Sequence, residues 1–563
     1  MMIEFPPFAF FYLAALAAAV LPRVPRQALM LAVPVASCAA LLQLPSDLLV
    51  SMSILDLQLE PVRVDRLSRL FGILFHIGAF IGIVFSLHSR DRTQHVAALA
   101  YAGSALGAVF AGDLLTLFVF WELLAVSSVF LIFASRTERS YGAGMRYLVI
   151  QVISGVLLLA GALILYGQSG SLRFEHIGLS GAGSMLIFIA FGIKCAFPLL
   201  HNWLTDAYPE ATPTGTVFLS AFTTKVAVYA LARGFAGTEV LVYIGAVMTC
   251  FPIFYAVIEN DLRRVLAYSM INQIGFMVVG IGLGTALAIN GAIAHAFNDV
   301  IFKGLLMMSM GAVLHMTGRI NGSDLGGLYK SMPVTTTFCI VGAASISAFP
   351  LFSGFVSKSM VMVAVLEEGH PVVWLALLFA SAGVFHHAGI KIPFFAFFAH
   401  DSGIRTQEAP TNMLIAMGIA AALCIGIGVW PWVLYDLLPF AVDYTPFDGS
   451  HILAQIQLLV FSAAAFAWLK VAGIYPPELH STNIDVEWLY RRLAPRWVQQ
   501  TTAASRRAVD ATSRAGEGLG RNLMRLVLHH YGPEGTLARA WPTGSMVLWV
   551  AVLLGASLVL YYL

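Results

Sequence analysis

DLLTLFVFWELLAVSSVFLIF, residues 113–133, reads as one membrane-crossing helix with a single carboxylate, Glu122, near its middle. About 20 consecutive apolar residues suffice to span the hydrocarbon core of a bilayer. An ionisable group at that depth costs roughly 2.5–3.5 kcal/mol unless it is paired or hydrated, so Glu122 is a functional candidate from the outset. The stretch is not alone. Apolar runs of similar length recur from one end of the chain to the other.

Of the 563 residues, 59% are hydrophobic and only 11% are charged, against about 25% charged in a soluble domain. This pattern predicts an all-α polytopic membrane protein of about 14–15 transmembrane helices. The N-terminal MMIEFPPFAFFYLAALAAAVLPRVPR lacks the basic leader and small-residue cleavage site of a signal peptide, so it is expected to be the first span. With that end outside, Arg23, Arg26, Arg90, Arg92, Arg136, Arg139, Arg146, Arg263, Arg264, Arg319, Lys330 and Arg405 fall on the inner side. They outnumber Arg63, Arg66, Arg69, Arg173 and Arg233 outside, the bias that orients membrane proteins. A net charge of +2 with no basic-aromatic patch gives no sign of a nucleic-acid partner. Cys38, Cys195, Cys250, Cys339 and Cys424 form no CxxC pair and lie in or beside apolar segments, which suits small buried residues better than metal ligands or disulfides.

CAFPLLHNWLTD (195–206) and SAFPLFSGFVSK (347–358) share Ala-Phe-Pro-Leu inside apolar segments, each with a lysine nearby, Lys194 and Lys358. A proline inside a span removes a backbone hydrogen bond and breaks the helix. Paired broken spans in two halves of a chain point to a repeat-built transporter with its site at the breaks. More charges lie at membrane depth: Lys225 in LSAFTTKVAVYALAR, and His295, Asp299 and Lys303 in GAIAHAFNDVIFKGLLMM. Unpaired, the seven would cost on the order of 15–20 kcal/mol, more than a fold's usual net stability. His295, Asp299 and Lys303 follow at helical four-residue steps and are expected to line one face, each passing a proton to the next. A buried amine suits this, since desolvation favours its neutral form and a nearby carboxylate its charged form.

These motifs together resemble the proton-conducting antiporter family. It is shared by large subunits of Mrp-type multisubunit cation/proton antiporters, antiporter-like subunits of respiratory complex I, and membrane arms of related hydrogenases. FWELLAVSSVFLI, GIKCAFPLLHNWLTDAYPEATPTGTVFLSAFTTKVAVYALAR, IENDLRRVLAYSMINQIGFM, HAFNDVIFKGLL and FPLFSGFVSK carry the resemblance over residues 60–430. Within the family, the D-type large subunit of the Mrp antiporters is the nearest type. The resemblance implies two inverted five-helix repeats with broken helices, and a proton path through Glu122, Lys194, Lys225, His295, Lys303 and Lys358. Asp299 stands where the family often has a histidine, and Thr205 and Tyr208 stand where it has proline and histidine. The path implied runs from a Glu122–Lys194 pair through Lys225 and the His295/Asp299/Lys303 relay to Lys358. His201 and Asp206 are candidates for an access path. His386, His387 and Lys391 in GVFHHAGIKIPFFAFFAHDSG fit either an inner-side ion access or a local structural cluster.

The organisation expected is N-terminal transmembrane helices (1–95), a first repeat (96–235), a second repeat (236–400), C-terminal transmembrane helices (401–475), a basic amphipathic inner-side linker (476–544) and a terminal transmembrane helix (545–563). In the linker, Val509, Leu519, Leu523, Leu526 and Val527 alternate at near-helical spacing with Arg506, Arg507, Arg514, Arg521 and Arg525. That composition suits a helix along the inner interface or a solvated linker. The function implied is the proton-moving membrane subunit of a multisubunit Na+/H+ antiporter in a bacterial inner membrane, working with other subunits. The alternative is the proton-pumping subunit of a complex I-like oxidoreductase or energy-converting hydrogenase. In either case no cofactor or metal site is expected in this chain, since no flavin, iron–sulfur or nicotinamide motif is present.

Overall fold

Short acidic side chains set several helix starts. Asp65, Asp91, Asp113 and Asp261 each accept hydrogen bonds from backbone N–H groups of the following turn, which satisfies donors that a helix start leaves free. The computed structural model describes residues 5–54, 57–475, 478–480, 483–537, 539 and 542–563. They form two units, Met1–Asn483 and Ile484–Leu563.

The first unit begins with α1 (Pro7–Val20), α2 (Arg23–Gln43) and an antiparallel hairpin of β1 (Leu48–Ile54) and β2 (Leu57–Val64). Next come α3 (Arg66–Ser86), α4 (Arg92–Phe110), α5 (Leu114–Phe133), α6 (Glu138–Ser169), α7 (Ala182–Lys194), α8 (Asn202–Ala207), α9 (Pro213–Ala221) and α10 (Thr223–Gly234). They are followed by α11 (Val240–Ile258), α12 (Leu262–Leu283), α13 (Ala286–Thr317), α14 (Pro333–Ile346), α15 (Ser353–Glu367) and α16 (Pro371–Val384). The last three are α17 (Thr411–Val429), α18 (Trp432–Tyr435) and α19 (Gly449–Val471). Among the described residues, 12 helices are long and apolar enough to cross a membrane, and α1, α7 and α14 are shorter apolar helices. The chain is a multi-pass helical membrane protein. Residues 1–4 of the expected first span lie outside the described residues. The hairpin is not foreshadowed by the pattern of apolar runs, in which LLVSMSI and LQLEPVRV pass unnoticed.

The two halves repeat in detail. Asp113, Thr137 and Gly170 bound α5 and α6, and Asp261, Thr285 and Gly318, the same number of positions later, bound α12 and α13. Helices α6 and α13 each have 32 residues and end on a left-handed glycine. Isolated bridges pair Asp113 with Arg173 and Asp261 with Asn321 at the same separation. The breaks match most closely. Ala196 and Leu199 have φ of 61° and 71°, and Ala348 and Leu351 have 56° and 73°. In both, the N–H groups of Ala and Phe bond back to carbonyls three and five residues earlier (Ala196 to Ile193 and Phe197 to Gly192; Ala348 to Ser345 and Phe349 to Ala344). This is a Schellman ending with alanine in the place usually held by glycine, at a steric cost of about 1–2 kcal/mol each. Proline then keeps the preceding phenylalanine out of the helical region. Five passes (α4, α5, α6, α7–α8, α9–α10) precede the second set, so the second repeat runs inverted relative to the first.

Ion pairs tie the loops into two sets. On the arginine-rich side Asp91 meets Arg136 at 3.1 Å, Glu210 meets Arg139 at 2.6 Å, and Asp206 meets Arg146 at 2.7 Å. On the other side Glu60 of the hairpin meets Arg173 at 2.6 Å, and Asp65 meets Arg233 at 2.7 Å. In the second unit, α20 (Ala494–Tyr531) carries the alternating arginines and apolar residues of the expected linker over 38 residues, and α21 (Thr543–Tyr562) follows. Residues 476–477, 481–482, 538 and 540–541 of that linker lie outside the described residues.

Candidate functional site

Helix α7 stops at Lys194 because Ala196 turns left-handed. The Lys194 ammonium donates to the Trp121 carbonyl at 2.7 Å and lies 4.8 Å from the indole centroid. Trp121 is itself fixed, its Nε1 donating to Ser154 Oγ at 2.9 Å, which donates to the Ala190 carbonyl at 2.7 Å. Glu122 points elsewhere. Its carboxylate occupies the space a side chain at Gly155 would fill, and Oε1 is buried without a hydrogen-bond partner. The direct Glu122–Lys194 pair expected from sequence is therefore not formed. One residue along a helix turns a side chain by about 100°, so Glu122 faces α6 while its neighbour's carbonyl holds the lysine. The two charges still act on one another.

Lys225 lies just past a distortion that no proline or glycine announces. Phe222 departs from helical geometry between α9 and α10, and the Thr223 N–H donates to the Tyr101 hydroxyl at 3.1 Å. The Lys225 ammonium is 2.5 Å from Asp299 Oδ2, both side chains being 0% exposed.

His295, Asp299 and Lys303 share α13 as expected, yet each reaches a different partner. Asp299 crosses to Lys225, and Lys303 donates to Ser269 Oγ at 2.8 Å. His295 has Gln273 Oε1 at 3.1 Å from Nε2 and Ser357 Oγ at 3.0 Å from Nδ1. Because the Gln273 amide nitrogen donates to Asn272 Oδ1 at 2.7 Å, its oxygen faces the ring. His295 thus donates from Nε2 and accepts the Ser357 hydroxyl at Nδ1. The three do not hydrogen-bond in sequence along the helix. About 6 Å of rise separates residues four apart, enough for each side chain to find a shorter bond across the bundle.

Lys358 follows its break, whereas Lys194 precedes the other, so the two lysines are not repeat equivalents. Lys358 donates at 3.2 Å to the carbonyl of Ile346, the residue that corresponds to Lys194, and lies 5.0 Å from the Phe276 ring centroid. A cavity of about 210 Å³ adjoins it, bounded by Ser359, Met362, Trp374, Ser381, His451 and Gln455. Lys303 and Lys358 both lie within electrostatic reach of Asp299, and His295 within reach of Lys225, Lys303 and Lys358.

Asp206 is held by Arg146 through two bonds of 2.7 and 3.1 Å, and buried His201 packs on Phe251 with ring centroids 4.7 Å apart. Lys391 donates to the carbonyls of Val257 and Glu259 at 2.7 and 2.6 Å and meets Glu478 at 3.1 Å. It caps the end of α11. Burial raises the Glu478 carboxyl above the ordinary range against the opposing pull of Lys391. His386 lies 3.3 Å from the Tyr475 hydroxyl, and His387 is fully buried.

Residues 111–382 match the family model described as NADH:quinone oxidoreductase/Mrp antiporter, TM. The D-type component of the Na(+)/H(+) antiporter of Alkalihalophilus pseudofirmus is 30% identical over 411 residues, 67% of this chain and 83% of that protein. The chain belongs to the NADH:quinone oxidoreductase/Mrp antiporter family. The A-type component of the same organism's antiporter is 32% identical over 429 residues, 66% of this chain; the chain spans about half of that longer protein, 53%. A chain of the Mrp complex from Dietzia sp. DQ12-45-1b shares the fold, with a TM-score of 0.68 at 20% identity, covering 83% of this chain and 100% of that one.

Proposed function

We propose that this chain is the proton-translocating membrane subunit of a multisubunit monovalent cation/proton antiporter in a bacterial inner membrane, exchanging protons for sodium with partner subunits. The observation that carries the reading is the buried Lys225–Asp299 pair, which joins the first repeat to the second at 2.5 Å. In this reading Glu122, Lys194 and Lys225 are the first repeat's proton groups, and His295, Asp299, Lys303 and Lys358 the second's. One carboxylate neutralises only one ammonium, so protonation of one lysine in the cluster works against protonation of the others. A proton arriving at Lys225 then favours departure of one from Lys303 or Lys358, and the cavity beside Lys358 offers it room to leave. His201 and Asp206 belong to the inner access of the first repeat. The likeness to a component of a Na(+)/H(+) antiporter supports sodium as the exchanged ion. The chain itself performs no redox chemistry.

A second reading is favoured by the family description, which names NADH:quinone oxidoreductase beside the antiporters. There the same charges form the pumping arm of a redox complex whose electron carriers sit in other chains. Inverted vesicles carrying the chain with its partner subunits separate the two. Sodium, potassium or lithium collapsing an imposed pH gradient supports the antiporter. No cation response, together with acidification on adding a respiratory donor, supports the redox complex.

A further inference from the structure

The second helix break has a surface that the buried charges do not use. Beside it lies an open cavity of about 580 Å³, within the range of about 300–1,000 Å³ typical of ligand pockets. One wall is Ala343, Ala344, Phe349 and Phe352, from the end of α14 through the break. The other is the chain after α16, where Phe385–Lys391 and Phe394–Phe398 form wide π-helical turns and supply Gly389, Phe394 and Phe398. The walls meet at Gly389, where a side chain would strike Ser347 Oγ. All the lining residues are apolar, so water inside finds no side chain to bond and the space favours hydrocarbon. Helix α14 starts on the arginine-rich side, and its 14 residues rise about 21 Å, reaching the middle of a core about 30 Å thick. The cavity therefore lies in the inner half of the bilayer, at the depth of acyl chains.

Cations stand at its inner end. Tyr329 stacks on Phe398 with ring centroids 5.6 Å apart, and Lys330 Nζ lies 5.6 Å from the Tyr329 centroid. From α19, Lys470 Nζ lies 5.9 Å from the Phe394 centroid. The carboxylates nearby are already engaged, Asp401 with Arg405 at 2.9 Å and Glu478 with Lys391 at 3.1 Å. Both lysines are exposed, and among the described residues neither forms an ion pair.

We propose that this cavity seats an acyl chain of an anionic phospholipid of the inner leaflet, with the phosphate at Lys330 and Lys470. The apolar walls exclude a polar ligand, and the two lysines select a negative headgroup over a zwitterionic one. A partner's apolar helix would cover the walls but leave both ammoniums without a counter-charge. A chain seated there packs against the break whose Ile346 carbonyl accepts Lys358. The site stands whether or not the buried charges carry protons.

The test is photo-crosslinking in phosphatidylcholine vesicles holding the full chain and its partner subunits. The probe is a trace of phosphatidylglycerol with a diazirine in its acyl chain, and adducts are mapped by mass spectrometry. Adducts are expected on residues 340–352 and 385–398, displaced by unlabelled phosphatidylglycerol against the phosphatidylcholine background. Lys330→Gln combined with Lys470→Gln is expected to lower labelling there about 25-fold, about fivefold for each lysine, while adducts elsewhere persist. Ala344→Trp, which fills the cavity, is expected to abolish it. Equal labelling by a diazirine phosphatidylcholine overturns the inference, and so does labelling that the double lysine variant leaves unchanged. Adducts missing from both segments in the assembled complex overturn it as well and give the cavity to a partner's helix.

Discussion

Replacing Asp299 by asparagine keeps the shape of the side chain and removes the one carboxylate of the central cluster. At 2.5 Å and an effective dielectric of about 20, Coulomb's law gives roughly 6–7 kcal/mol of attraction to Lys225. Desolvation of both groups offsets part of this, and breaking a buried pair by removing one partner costs about 3–5 kcal/mol. If the loss falls on the step that places a proton on Lys225, each 1.36 kcal/mol slows it about tenfold, so flux falls roughly 100- to 5,000-fold. The assay is collapse of an imposed pH gradient, read with a pH-sensitive dye in inverted vesicles, after confirming that Asp299→Asn assembles with its partners. Asp299→Glu, which keeps the charge, is expected to lose far less. Flux in Asp299→Asn within about twofold of the natural protein, well below the loss expected for a broken buried pair, would refute the reasoning that the pair joins the two repeats.

Gly155→Ala places a methyl group where the Glu122 carboxylate lies; gradient collapse is expected to slow as much as in Glu122→Gln, while assembly is kept. Lys391→Met strips the α11 end of its cap and leaves Glu478 buried without its cation. A destabilisation of about 3–5 kcal/mol is expected, read as a lower midpoint of thermal unfolding in detergent. Burial alone would raise the Asp65 carboxyl, but Arg233, the Ser68 N–H and Arg63 together hold it below the usual range. A depressed carboxylate stabilises above its unfolded value of about 3.9, and that contribution fades as pH falls through the lower folded value. Asp65→Asn should therefore lower the unfolding midpoint at pH ~7 and lose that deficit in strong acid.

Much of the architecture was readable because lipid imposes simple rules. The apolar runs, the two Ala-Phe-Pro-Leu breaks and the charges at membrane depth stand out in the sequence, and all three appear in the fold. What the sequence could not supply was direction across the bundle. Asp299 looks like a link between His295 and Lys303 when only α13 is considered, and its contact with Lys225 on α10 exists only after packing. The same holds for Lys391, whose ammonium is used up by carbonyls at the end of another helix. Gly155 and Phe222 escape notice for different reasons. One matters through an absent side chain, and the other bends a helix through the Tyr101 hydroxyl without any helix-breaking residue. The hairpin at 48–64 is masked by the long apolar runs around it. The matched Schellman endings had one signal, the repeated Ala-Phe-Pro-Leu, whose alanines hide a turn that glycine would have announced.

The central claim is that cation exchange draws on a proton path through the buried lysines, beginning at Lys194. The most direct measurement is sodium-driven collapse of a pH gradient in vesicles carrying the whole complex, with the natural chain and with Lys194→Ala. The account predicts collapse with the natural chain and none with the variant at equal assembly. Equal collapse in both would contradict it.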